Sequence, residues 1–275
     1  MYNKSHERRY KLMIIKTDTH THSLNFSGDA VSYMDEMCEK AIEKGLERIC
    51  FTEHVDFDPH YDDSFPFDAE KYKRTIETMR DRYGDRLEIL KGIEVGEPHV
   101  YPKEYEAVLK ADNYDMVIAS VHYVILPMGL HWTGKGGADI FTFAVPRIYR
   151  RYYEDLLAVA KLGGFDVLGH FDYPKRYLKV DAEEDELMEE TLKAVIKSGG
   201  ILEINTSPLR KGCVETAPGK KILDLYAKAG GTRLTIGSDA HYNEDILADF
   251  DRALDFAQGF DVGYFKNRTF HSFTE

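Results

Sequence analysis

"LMIIKTDTHTHSLNFSGDA", Leu12 to Ala30, sets an apolar, largely β-branched run directly before a polar stretch that holds Asp18, His20, His22 and Asp29. The run reads as a strand. Side chains at i and i+2 of an extended segment point to the same side, so His20 and His22 can present ring nitrogens to one point in space. A strand that ends in side chains able to bind metal is the unit from which the rest of the chain can be understood.

The unit recurs. Apolar runs at Leu12–Ile15, Arg48–Thr52, Leu87–Val95, Met116–Val121, Val167–Gly169, Ile201–Ile204 and Leu234–Ile236 alternate with segments of helical period. Met34, Met37, Cys38, Ala41 and Ile42 form one helical stripe; Leu187, Met188, Leu192, Val195 and Ile196 form another. Both stripes suit core-facing surfaces rather than binding. Gly45, Gly84, Gly163–Gly164, Gly199–Gly200 and Gly230–Gly231 mark helix ends, because glycine enters the left-handed turn that stops a helix at least cost. About seven β–α units in succession predict an α/β fold with a parallel sheet, open or closed into a barrel. Leu126 to Ala144, which contains Trp132, reads as a long irregular insertion.

A chain of 275 residues with 43% hydrophobic residues can bury a substantial core, and one domain over residues 1–275 is expected. No apolar run is long enough to cross a bilayer, and "MYNKSHERRYKLMIIK" lacks the apolar centre of a signal peptide. Cys38, Cys50 and Cys213 are odd in number and widely spaced, which speaks against a disulfide framework and for a reduced, cytoplasmic protein. The net charge of −12 argues against a general nucleic-acid surface. A small anionic substrate is compatible with it, since a local cationic cluster is enough to bind one.

The strand ends carry the chemistry. "FTEH" brings His54, "KGIEVG" Glu94, "ASVH" His122, "VLGH" His170, and "IGSDAH" Asp239 and His241; "LEINTSPLRK" follows the sixth run. In parallel β/α architectures the C-terminal strand ends converge on one face, so six of seven ends bring a histidine or carboxylate to one mouth. A lone histidine after a strand is usually a satisfied loop residue. Six of the eleven at such junctions form a pattern. His6, His60, His99, His131 and His271 have no such placement and read as surface or loop residues, with His99 and His131 candidates for the border of the site. Imidazole plus carboxylate suits zinc, manganese or iron. Six histidines with Asp29, Glu94 and Asp239 exceed the needs of one four-coordinate ion and suffice for two or three. Multimetal sites of this kind suit phosphoryl transfer: one ion makes hydroxide available, and the others neutralise phosphate and leaving-group oxygens.

The ordered set "HTHS…D", "TEH", "GIE", "SVH", "GH" and "SDAH" resembles the PHP (polymerase and histidinol phosphatase) superfamily, and within it the monofunctional histidinol-phosphate phosphatases. The resemblance runs from about Thr17 to the last helix. It implies a distorted (β/α)7 barrel with the active site at the C-terminal ends of the strands. It also implies three divalent ions: one on His20, His22, Glu94 and Asp239; a second sharing Glu94 with His122 and His170; a third on Asp29, His54 and His241. The stretch "SLNFSGD" before Asp29 is one residue longer than the family pattern. Asp18 would support a ligand from behind, and Arg176 and Arg210 would clamp the phosphate. Arg147, Arg150 and Arg151 read as a solvated helix face, and "GKGG" at Gly134–Gly137 lacks P-loop spacing.

The implied reaction is hydrolysis of L-histidinol phosphate to L-histidinol and phosphate by a metal-bound hydroxide, without a phosphoenzyme. Asp239 and His241 are candidates to protonate the leaving group, and the segment with His131 and Trp132 is a candidate wall for the imidazole of the substrate. No nucleic acid or membrane partner is expected. The alternatives are a phosphoesterase for another small phosphate or nucleotide, a non-catalytic module of the same superfamily, and an amidohydrolase-type C–N hydrolase. The last shares "HxH" but favours a bridging carboxylated lysine, and no run here ends in lysine.

Overall fold

The computed structural model describes residues 16–58, 66–126, 130–133, 145–178 and 184–274. The first strand, β1, is Thr17–Thr21. The expected strand at Leu12–Ile15 lies outside the described residues, as do His6, His60 and Gly134–Gly137. The polar stretch is thus itself a strand: its three β-branched threonines favour extended backbone and alternate with Asp18 and His20.

The chain continues through α1 (Met34–Glu43), β2 (Arg48–Val55), α2 (Ala69–Tyr83), β3 (Glu88–Gly96), α3 (Pro102–Ala111) and β4 (Met116–Ser120). Next comes an antiparallel hairpin, β5 (Val124–Leu126) and β6 (Leu130–Trp132). The segment expected to be irregular therefore opens with regular structure. Then follow α4 (Val145–Leu162), β7 (Val167–Leu168), α5 (Asp185–Ser198), β8 (Ile201–Asn205), the short α6 (Ser207–Arg210), α7 (Lys220–Ala229), β9 (Arg233–Gly237), α8 (Phe250–Phe256), β10 (Asp261–Lys266) and β11 (Thr269–Ser272).

Seven of these strands, β1, β2, β3, β4, β7, β8 and β9, pair in parallel in chain order. Each one expected from Arg48 onward lies within two residues of its predicted place at the start. The sheet curls back on itself at the top. Asp239 N–H donates to the His20 carbonyl at 2.8 Å and His22 N–H to that of Ala240 at 2.9 Å, and Thr21 and Ala240 form an isolated parallel bridge. At the bottom, β10 pairs with β9 in the place that β1 would take, and β11 closes a hairpin on it. This C-terminal hairpin extends the sheet beyond β9, and no strand was expected there.

Alternation divides the apolar residues between two cores. Cys50, Leu90, Met116, Ile118, Val167 and Ile201 face inward with Phe265 from β10 as a plug. The opposite faces of the same strands, with Ile49, Phe51, Ile93, Val117, Leu202 and Ile236, pack under the helices. Both helical stripes serve that outer core: Met34, Met37, Cys38 and Ala41 are buried on α1, and Met188, Leu192 and Val195 on α5, with Ile42, Leu187 and Ile196 partly buried beside them. Gly199 and Gly230 end their helices in the left-handed region as expected (φ +84° and +104°), whereas Gly84 closes α2 in right-handed backbone (φ −58°). Among the described residues no helix is long and apolar enough to cross a membrane.

Candidate active site

Inward-facing residues at the top of β1, β2, β3 and β8 and in the loops after β4, β7 and β9 meet in one buried cluster. Its first group joins His20 and His22, whose Nε2 atoms lie 3.0 Å apart, to Glu94 Oε2 at 3.2 and 3.4 Å and to Asp239 Oδ1 at 3.9 and 3.5 Å. On the other side of Glu94, Oε1 lies 3.3 Å from His122 Nε2 and 2.9 Å from His170 Nε2. The third group sets His241 Nε2 3.3 Å and His54 Nε2 3.6 Å from the Asp29 carboxylate, with the two rings' Nε2 atoms 3.4 Å apart. All nine side chains named from the sequence come together around Glu94, whose Oε2 also lies 3.3 Å from His54 Nδ1, so that His54 joins the third group to the second. Before Asp29 the chain makes a turn in which Phe26 and Ser27 N–H donate to the Ser23 carbonyl at 3.1 and 2.9 Å.

The backbone makes room for this crowding at Gly237, where a Cβ would overlap that of His20 and sit 3.2 Å from Glu203 Oε2. Asp239 occupies the left-handed region (φ +55°), which aspartate tolerates better than most residues. Its turn is held from both sides: Asp18 accepts from the backbone N–H of Ser238 and Leu247, each at 2.9 Å, and Arg210 donates to the carbonyl of Ser238 at 2.7 Å. Asp18 therefore supports the site through the main chain of this turn, not through a histidine ring.

Two carboxylates that hold the cluster in place were not singled out in the sequence. Glu203, buried in β8, accepts from His20 Nδ1–H at 2.8 Å, from His170 N–H at 2.7 Å and from the Asn205 amide at 3.1 Å. Glu53 accepts from Ser23 and Ser27 hydroxyls at 2.6 and 2.7 Å, and Ser27 Oγ lies 3.5 Å from His22 Nδ1. The signal was present in both cases: an acid inside an otherwise apolar strand, "ILEIN" and "CFTEHV".

The donor set suits divalent cations on its own geometry. With its Nδ1–H given to Glu203, a neutral His20 turns a lone pair on Nε2 toward the His22 ring and two carboxylates, a grouping that only positive charge can bind together. Electrostatics agree. Burial opposes ionisation of Glu94 and Asp239, yet His20 and His122 around the first, and Arg176 and His20 around the second, hold both carboxyls well below their usual range. Burial lowers His20, but Glu203 and Glu94 outweigh it and raise the ring; His22 is lowered by burial and by His54 and His241. Protons thus gather where carboxylates can bind them, at positions a cation would otherwise take.

Above the cluster opens a pocket of about 360 Å³, lined by Arg176, Arg210, Lys211, Tyr173, Tyr177 and Ser207 as well as by cluster residues. Arg176 does more than the sequence suggested. It donates to Asp239 Oδ2 at 2.6 Å and to Asn205 Oδ1 at 3.0 Å, while its buried Nε has no partner. Trp132 packs edge-on against Tyr173 and Tyr177, which form the pocket wall between it and the cluster. The side chain of His131 lies outside the described part. His99 pairs with Asp155 at 3.1 Å, away from the pocket lining, and His271 stacks on Tyr264 in the C-terminal hairpin. On α4, Arg150 and Arg151 are exposed and paired with Glu154 and Asp155.

Residues 18–207 match the PHP domain model. The chain is 27% identical over 256 residues to a "Probable histidinol-phosphatase" of Clostridium acetobutylicum, covering 88% of this chain and 92% of that one. It is 30% identical over 230 residues to a protein of the same description from Thermotoga maritima, covering 83% and 85%. Among solved structures, the histidinol phosphate phosphatase of Lactococcus lactis complexed with zinc, L-histidinol and phosphate superposes with a TM-score of 0.76 at 24% identity, over 93% of this chain and 98% of that one. That likeness concerns the fold. With that family model matching more than half of its length, the chain belongs to the PHP domain family.

Proposed function

We propose that this chain is a metal-dependent phosphate monoester hydrolase that converts L-histidinol phosphate to L-histidinol and phosphate. The observation that carries the reaction type is the cluster itself: nine donors in three adjoining groups around Glu94, beneath a pocket edged by two arginines. The substrate rests on the relatives, whose descriptions name histidinol-phosphatases. Glu94, not a lysine, stands between the groups, which sets aside the amidohydrolase alternative.

In this reading His20, His22, Glu94 and Asp239 hold one ion, Glu94, His122 and His170 a second, and Asp29, His54 and His241 a third, with zinc, manganese and iron all suited to the donors. Such ions, when bound, supply a nucleophilic hydroxide near neutral pH and offset negative charge on phosphate oxygens. The protein's own groups do the rest. Arg176 uses its unpartnered Nε, and Arg210 its guanidinium at the rim, to orient the phosphate. Asp239 and His241 edge the pocket beside the cluster and are the residues placed to protonate the leaving alkoxide, a poor leaving group that needs a proton. Tyr173 and Tyr177, backed by Trp132, provide an aromatic wall for the alcohol half of the substrate.

The test is turnover. Chelator-treated protein reloaded with zinc, manganese or iron should release phosphate from histidinol phosphate faster than from a panel of sugar phosphates, nucleotides and phosphodiesters. No release from histidinol phosphate by metal-replete enzyme sinks the substrate assignment. Activity without any bound metal sinks the mechanism.

A further inference from the structure

Two residues beyond the level of the bridging carboxylate, the strands β2 and β3 bring a second acid against a ligand histidine. His54 pairs with Glu94 in the parallel register, so their i+2 neighbours, Asp56 and Gly96, come together on the same inward face. The Asp56 side chain is 2% exposed. Its Oδ1 lies 3.3 Å from His122 Nδ1; its Oδ2 has no hydrogen-bond partner. Glycine at 96 is what admits it: a Cβ there would overlap Asp56 Oδ1 and approach His122 Nδ1 to 3.2 Å.

His122 is thereby gripped at both ends of its ring. Nδ1 faces Asp56, while Nε2 faces Glu94 Oε1 at 3.3 Å. The backbone beneath the ring is also fixed, since Glu97 Oε1 accepts from the N–H groups of His122 and Tyr123 at 2.5 and 3.1 Å. A neutral imidazole has one N–H, and the nitrogen that keeps it is set by the better acceptor. His170, the other histidine against Glu94 Oε1, has no acceptor on its Nδ1.

We propose that Asp56 is a positioning residue: it accepts the Nδ1–H of His122, fixes the ring's tautomer and angle, and so aims the Nε2 lone pair at the ion shared with Glu94 and His170. The proposal rests on the metal-site reading given above. Carboxylate support behind a ligand histidine is a general device; here it acts on one ion of the three, and it depends on Gly96.

The full chain, stripped with chelator and titrated with zinc against a chromophoric competitor, provides the test. Asp56→Ala should weaken one ion per chain about 10- to 100-fold and leave the others in place. Asp56→Asn, whose Oδ1 still accepts from Nδ1–H, should stay close to wild type. Gly96→Ala should reproduce the loss of the same ion by displacing the carboxylate. In the metal-free protein, at a pH high enough to leave the His122 ring neutral, ¹⁵N-histidine NMR should find its one proton on Nδ1 in wild type and in Asp56→Asn, and shifted toward Nε2 in Asp56→Ala; thermal melts check that each variant folds. Wild-type affinity for every ion in Asp56→Ala, an Asp56→Asn as impaired as Asp56→Ala, or an unchanged tautomer overturns the proposal. A wild-type protein that takes up no zinc overturns the metal-site reading instead, and the tautomer measurement then judges Asp56 alone.

Discussion

Asp239 shows how one residue can join several duties. One carboxylate oxygen faces His20 and His22, and the other accepts from Arg176, Asn205 and Ser207 at 2.6, 3.1 and 3.1 Å. Arg176 is therefore bound to the cluster as well as to the pocket. A hydrogen bond to a charged group contributes about 1.5–3 kcal/mol, so Arg176→Ala should lower kcat/KM about 10- to 100-fold. It should also weaken the ion on His20, His22 and Asp239; steady-state kinetics with parallel metal analysis read the two effects separately, and unchanged metal affinity would restrict Arg176 to the phosphate. Glu203→Gln is the matching change behind the cluster. The amide nitrogen or oxygen must replace a carboxylate that takes three donors, and about 10- to 100-fold loss of metal affinity is expected. Metal content after dialysis checks it.

At the scale of elements, each strand does one job on each face. Its outward residues are the platform for a helix; its inward residues begin as apolar filling and end as the histidines and carboxylates of the cluster. Phe265 on β10 is the plug of the inner core, 6% exposed among Cys50, Leu90, Met116, Ile118, Val167 and Ile201. Phe265→Ala removes a large side chain from a place that cannot readily collapse and should destabilise the fold by about 3–5 kcal/mol. Urea unfolding measures the loss. Because the plug is at the far end of the barrel, activity per folded molecule well below the melting temperature should stay near wild type. The six parallel strands from Arg48 onward and both helical stripes were legible as period and alternation. The plug was not, since "DVGYFK" alternates like any strand and only its pairing with β9 carries Phe265 under the barrel.

For the whole molecule, the cluster makes stability depend on pH and metal together. Burial pushes the Glu53 carboxyl up to about 7 and, with Asp56 nearby, that of Glu97 up to about 8. The folded chain then holds protons that the unfolded chain has released, so each group lowers stability as pH rises toward its folded value, by at most about 1.4 kcal/mol per pH unit. Histidines raised in the fold, His20, His122 and His241, act in the same direction: their contribution is present below their unfolded pKa and is lost as pH rises through the folded one. His22 and His170, lowered in the fold, act oppositely but only below about 6.5. Metal-free protein should therefore lose stability between about pH 6.5 and 8, and Glu97→Gln, which keeps the acceptor for His122 N–H without a charge, should flatten the decline. Metal should reverse the trend, because it takes the place of those protons. Thermal melts of chelated and zinc-loaded protein across that range decide the matter; a metal-free protein that gains stability with pH contradicts it.

The sequence by itself determined the parallel β/α order and the nine positions whose histidines and carboxylates gather in the cluster. Both are local: a strand's period brings inward residues to one side, and a strand's end brings its last residue to one mouth. Even "TDTHTHSLNFSGDA" was legible in this way, and the strand described there, Thr17–Thr21, takes in the polar stretch itself. Only the tertiary structure decided which of the ligands share a neighbour, that Arg176 binds Asp239, that Glu203, Glu53 and Asp56 stand behind the histidines, and that β10 takes the lower half of the seam beside β9. Those contacts join residues far apart in the chain, and a side chain's period says which way it points but not what it will meet.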